Sequence, residues 1–160
     1  MSQQVAKALK QKRKFATVDQ EVLLAIRVLA SRILEPWEKF LKSHGDLSIG
    51  QYNVLRILRG SHPERLPSSE VGTRMVARDP DVTRLVDRLE KRGLVARRRS
   101  ETDRRVVEVG ITADGLALLK RLDPHVDRLP HALLGGLGQP KLKALRDLLD
   151  ELLEKFGTFP

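Results

Sequence analysis

The chain has 160 residues, 41% apolar but only 4% aromatic, enough for one domain with an aliphatic core built mostly on Leu and Val. Thirty Lys and Arg against 21 Asp and Glu leave a net charge of +9, which favours nucleic acid or another anionic surface as partner. There is no cysteine, which excludes disulfides, thiol redox sensing and Cys-ligated zinc, and no apolar run approaches the roughly 20 residues of a membrane span.

Residues 1–14 hold five basic residues and no acid, so residues 1–15 read as a flexible basic arm. From Thr17 to about Ser43 the apolar positions Val18, Val22, Ile26, Leu29, Ile33, Trp37, Phe40 and Leu41 form one helical stripe. Pro36 should kink that helix and Gly45 should stop it. Ser48-Ile-Gly-Gln51 is a capping box opening a helix to about Arg59, with Tyr52, Leu55 and Leu58 inward. Gly60 to Pro67 reads as a loop, and Ser68 as the N-cap of a short helix to about Val76 with Val71, Met75 and Val76 inward. Asp79-Pro80 predicts a sharp helix start, with Val82, Leu85, Val86 and Leu89 as the buried face and Gly93 as the stop. Two short strands follow, Leu94–Arg99 and Arg105–Ile111, around a charged tip at 100–104. Thr112 caps a helix carrying Leu116, Leu119, Leu122, Val126, Leu129 and Leu133, bent or interrupted at Pro124 and Pro130. Gly135-Gly136 is a turn, and a last helix from about Gln139 carries Leu142, Leu145, Leu148, Leu149, Leu152 and Phe156. Charge is balanced over 112–160, as expected of a packing or oligomer module whose leucine seam is covered by a second copy of the chain.

The order of a short helix, a capped amphipathic helix and an arginine-rich hairpin is that of a winged helix-turn-helix, and it points to double-stranded DNA. The expected fold is mainly α with a small β-hairpin wing: a winged helix-turn-helix at 48–111, and a helical dimerisation module from 16–47 and 112–160. A helix fits the major groove, where base edges are read by residues near its N-terminus. Thr83 and Arg84 satisfy that geometry, while Arg88 and Lys91 suit phosphates. Ser68 and Ser69 are placed to meet a phosphate from the preceding helix. The hairpin 97–105 holds five Arg, among them Arg97, Arg99, Arg104 and Arg105, against two acids; an arginine at its tip suits the narrow minor groove, with Asp103 to orient it. Asp81 places a negative charge near the groove, either to accept from a cytosine amino group or to stabilise the helix N-terminus.

Val82-Thr-Arg-Leu-Val-Asp-Arg-Leu-Glu-Lys-Arg-Gly-Leu-Val95, followed by Asp103-Arg-Arg105 and Ile111-Thr-Ala-Asp-Gly115, resembles the multiple-antibiotic-resistance-regulator (MarR) family of bacterial transcription factors. Leu47-Ser-Ile-Gly-Gln-Tyr-Asn-Val-Leu55 is similar to the family's second-helix motif, and the resemblance spans about residues 17 to 156. It implies a triangular homodimer whose winged helices are joined by the first and last two helices. It also implies a pseudo-palindromic operator, commonly repression, and often release of DNA by a small phenolic ligand. By position, Thr83 and Arg84 would contact major-groove bases and Arg105 would enter the minor groove with Asp103 orienting it. The chain departs from the family pattern at Pro80-Asp81, where hydroxyl residues are common, and in lacking the cysteine of peroxide-sensing relatives.

A family-type effector pocket would draw on Trp37, Phe40, His44, Tyr52 and Arg56, which suit an aromatic or carboxylate ligand. Asp123, His125, Asp127 and His131 match no compact metal-ligand spacing, and neither a metal nor another cofactor is expected. A glycine-rich phosphate loop and a G-x-S-x-G motif are both missing, so no enzyme is expected. The expectation is a cytoplasmic, nucleoid-associated repressor; the alternative is a ligand-independent architectural or anti-silencing DNA binder.

Overall fold

A computed structural model describes residues 3–12, 15–76, 81–100, 102–103 and 105–157. In chain order the described elements are α1 (Gln3–Ala8), α2 (Val18–Gly45), α3 (Ile49–Ser61), β1 (Leu66–Pro67), α4 (Ser68–Thr73), α5 (Val82–Lys91), β2 (Val95–Arg99), β3 (Val107–Ile111), α6 (Ala113–Val126), α7 (Arg128–Leu134), a 3-10 turn (Gly135–Leu137) and α8 (Gln139–Gly157). The chain divides into two compact units, Met1–Leu119 and Lys120–Pro160.

In the first unit, local chemistry sets most element boundaries. Thr17 accepts from the Gln20 backbone N–H at the start of α2. The Ser48 capping box is complete: Ser48 Oγ accepts from the Gln51 N–H at 3.2 Å, and Gln51 Oε1 accepts from the Ser48 N–H at 2.9 Å. Helix α2 ends differently from expectation. Gly45 is still helical and buried, and Asp46 takes the left-handed conformation at φ 47°. Asp tolerates that region better than most side chains. Its carboxyl is held below the usual carboxylate range by the hydrogen bond and charge of Lys42, with a further contribution from Arg92.

Two other expectations give way. Residues 3–8 of the presumed flexible arm form α1, with Val5 and Ala6 buried; α1 packs on α2, because the arm's few apolar residues fall together on one helical turn. The stretch read as the loop 60–67 ends in β1, which pairs with β3 through Leu66 opposite Val109 and Pro67 opposite Glu108. The sheet is therefore three-stranded and antiparallel in the order β1-β3-β2, with Val95 opposite Ile111 and Arg99 opposite Val107. Pro67 fits because β1 is an edge strand.

Leu41, Val54, Leu55, Leu58, Val71, Val86, Leu89, Val95 and Val109 fill the core between α2, α3, α4, α5 and the sheet. Thr112 accepts from the Gly115 N–H at 3.1 Å and donates to the Gly93 carbonyl at 2.7 Å, stitching α6 to the end of α5. A Cβ on Gly115 would stand 2.3 Å from the Leu94 carbonyl oxygen, so only glycine allows that approach. In the second unit, Asp127 interrupts the leucine pattern between α6 and α7; Pro124 lies inside α6 and Pro130 in the first turn of α7. No described helix is long and apolar enough to cross a membrane.

Candidate nucleic-acid interface

Helix α5 is apolar at 82, 85, 86 and 89, the spacing of one face of a 3.6-residue helix. Leu85, Val86 and Leu89 are buried and α5 packs on α3; Val82 is half-buried. That packing leaves Thr83, Arg84, Arg88 and Lys91 exposed together on the other face. The described helix begins at Val82 with Asp81 in the N-cap position; the expected start at Asp79-Pro80 lies outside the described residues. Gly93 at φ 69° closes the helix, and the Leu94 N–H reaches the Leu89 carbonyl at 3.0 Å. Beside it, Arg92 donates to the carbonyls of Gly45 at 2.8 Å and Asp46 at 2.6 Å. A cation there complements the negative C-terminal end of α2 and fixes the end of α5 to the long helix.

The Arg97 side chain, expected to face DNA, is turned onto α5. Its Nη1 is 2.5 Å from Asp87 Oδ1 and 3.3 Å from Glu90 Oε2, its Nη2 donates to the Thr83 carbonyl at 3.2 Å, and its backbone N–H donates to Glu90 Oε1 at 3.0 Å. One guanidinium fork thus ties β2 to α5 and neutralises two carboxylates on that helix. The signal was in the alternation: Arg97 shares a strand face with the buried Val95.

Arg99, Asp103 and Arg105 are exposed at the wing, whereas Arg104 lies outside the described residues. Asp103 Oδ1 accepts from the backbone N–H of Arg105 at 2.9 Å, and the Val106 N–H donates to the Asp103 carbonyl at 2.9 Å. The carboxylate shapes the turn that carries Arg105 and acts on its backbone. Ser69 is exposed at the start of α4. Ser68 is not the N-cap; Pro67 holds that position, and Ser68 Oγ donates to the Val107 carbonyl at 3.2 Å, tying α4 to the wing. Val76, expected inward, is 93% exposed, since α4 ends at Thr73 and the chain has left the helical face. Sequence reasoning also missed Arg65, whose Nη1 donates to the Ala96 carbonyl at 2.9 Å and braces the wing from the loop before β1.

Of the five candidate effector residues, Trp37, Tyr52 and Arg56 come together. With Ile33, Leu34, Leu41, Ile49, Asn53 and Val76 they line a mostly apolar cavity of about 290 Å³ between α2 and α3. The Trp37 and Tyr52 rings lie 6.0 Å apart. Phe40 and His44 instead stack on each other at 4.6 Å, and His44 Nδ1 lies 3.1 Å from the Phe40 carbonyl. Among the described residues no three His, Asp or Glu side chains are grouped as a metal site.

Residues 47–107 match the model of the MarR family. The chain is similar to the transcriptional repressor MprA of Escherichia coli, 28% identical over 138 residues that cover 85% of this chain and 78% of MprA. Among solved structures it is similar to a MarR transcription factor from Planctomyces limnophilus, at 39% identity and a TM-score of 0.66, covering 86% of this chain and 98% of that one. It is also similar to BpsR of Bordetella bronchiseptica, whose DNA binding is regulated by 6-hydroxynicotinic acid, at 26% identity and a TM-score of 0.71, covering 82% and 98% of the two chains.

Proposed function

Because the chain belongs to the MarR family of transcriptional regulators, we propose that it is a homodimeric, sequence-specific repressor that binds a pseudo-palindromic double-stranded operator and is released by a small aromatic acid. The observation that carries this reading is the exposed row Thr83, Arg84, Arg88 and Lys91 on a helix whose opposite face is buried, braced through Arg97 to an arginine-bearing wing. Thr83 and Arg84, near the helix start, reach base edges, while Arg88, Lys91 and Ser69 meet phosphates. Arg99, Arg104 and Arg105 in the wing contact the adjacent minor groove and its backbone, on a turn shaped by Asp103.

Residues 48–111 are the DNA-binding module, and 16–47 with 112–160 supply the dimer contacts. Helix α8 exposes Leu145, Leu148, Leu149, Leu152, Leu153 and Phe156, and the first half of α2 exposes Val18, Val22, Leu23 and Leu29, more apolar surface than a soluble single chain ordinarily leaves uncovered. Two reader helices in such a dimer meet successive major grooves about 34 Å apart. The cavity between α2 and α3 takes the effector: Trp37 and Tyr52 offer ring faces and Arg56 a partner for a carboxylate.

Selection of bound duplexes from a random library, followed by footprinting, tests the operator assignment. One or two discrete palindromic sites are expected; broad coverage without a preferred sequence selects the architectural alternative. Titration with aromatic acids, 6-hydroxynicotinic acid among them, should quench the single Trp37 and release the operator. Quenching without release, or neither, removes the effector from the reading.

A further inference from the structure

The carboxylate of Asp81 occupies the N-cap position of α5 but makes no capping hydrogen bond from its side chain. Its Oδ2 lies 3.0 Å from Nη1 of Arg84, one turn along the same helix. The two side chains are 43% and 75% exposed, so water and salt screen the pair and it contributes little to folding. Its consequence falls on Arg84, whose long side chain otherwise samples many rotamers across the groove-facing surface.

We propose that Asp81 is a specificity-determining residue that acts through Arg84, an inference that rests on the assignment of Arg84 as a base reader. A guanidinium carries five N–H donors in a planar fork, and a bidentate contact with guanine O6 and N7 uses two of them. One edge of Arg84 can therefore stay on Asp81 while the other meets the base, with the carboxylate holding the plane of the fork. The same carboxylate works against the non-specific alternative. If Arg84 swings onto a phosphate, it either abandons Asp81 or carries a negative charge toward the backbone. Asp81 thus lowers affinity for arbitrary duplex more than for the operator, and discrimination comes from the repulsive element as much as from the attractive one. No base contact by Asp81 itself is involved.

The test compares full-length wild type, Asp81→Asn, Arg84→Ala and the double variant on the selected operator and on a random duplex, at two salt concentrations. Each variant is also used to reselect its preferred sequence. For Asp81→Asn, random-duplex affinity should rise several-fold and the operator-to-random ratio should fall by about tenfold, within the span covered by one base contact. In the Arg84→Ala background the Asn substitution should leave base preference unchanged. An unchanged ratio for Asp81→Asn overturns the proposal. So does an Asn effect on base preference that survives in the Arg84→Ala background, since Asp81 would then read a base directly. If Arg84→Ala alone keeps the wild-type preference, the assignment of Arg84 as reader fails and the inference falls with it.

Discussion

The winged-helix lobe and the last helix use the same sequence device and end in opposite states. In α5, apolar residues at helical spacing are buried: Leu85 is 9% exposed, Val86 and Leu89 not at all. In α8 an equally regular series of leucines stands on the surface, from 37% exposure at Leu152 to 68% at Leu153. Periodicity states which face of a helix avoids water but not what covers it. In the lobe the cover is the same chain, so charged side chains on the far face are left for another partner. In α8 the face stays uncovered, and the proposed dimer would cover it with a second copy.

That contrast can be broken most severely in the lobe. Leu89→Ala should cost about 2–5 kcal/mol by leaving a cavity in a fully packed site. Gly115→Ala should also be damaging, since its methyl meets the Leu94 carbonyl. Urea unfolding should show both losses at any protein concentration. Paired Leu145→Glu and Leu149→Glu changes should behave differently. They should abolish the concentration dependence of Tm and convert dimer to monomer in sedimentation, while helical content persists; a variant that unfolds outright would place the seam inside the chain's own core.

Within the face proposed to bind DNA, smaller effects separate bracing from contact. Arg97→Ala should cost about 1–2 kcal/mol of stability after allowing for partial exposure, because Asp87 and Glu90 lose their partner. It should weaken operator binding while leaving the salt slope nearly intact, whereas Arg88→Ala should lower that slope by about one. A drop of similar size for Arg97→Ala would return Arg97 to the backbone contacts. Ser48→Ala should cost about 1 kcal/mol by deleting the cap of α3, measurable as a shift of the urea midpoint. The smallest effect concerns pH. The Asp46 carboxyl is held below its ordinary value by Lys42, so its stabilisation is fully present above the ordinary carboxylate value and is lost as pH falls from there through the lowered one. Asp46→Asn should flatten the acid limb of stability by that amount and leave the alkaline limb unchanged.

Much of this molecule was legible residue by residue, because the relevant interactions are local. The capping box at Ser48, the cap at Thr112, the left-handed stop at Gly93 and the buried face of α5 each depend on neighbours within one or two helical turns. So did the exposure of Thr83, Arg84 and Arg88, which follows once the opposite face is known to be apolar. What the sequence could not decide were pairings between positions far apart along the chain. Leu66 finds Val109 only when the sheet closes, and Arg92 meets the end of α2 across 46 residues. Among the wing arginines, composition assigned Arg97 and Arg99 one role, while the tertiary structure turned Arg97 onto Asp87 and Glu90 and left Arg99 exposed. A charge announces that it needs a partner; only packing, which sets distance and direction, decides whether that partner is a carboxylate on the next element or is left to come from outside the chain.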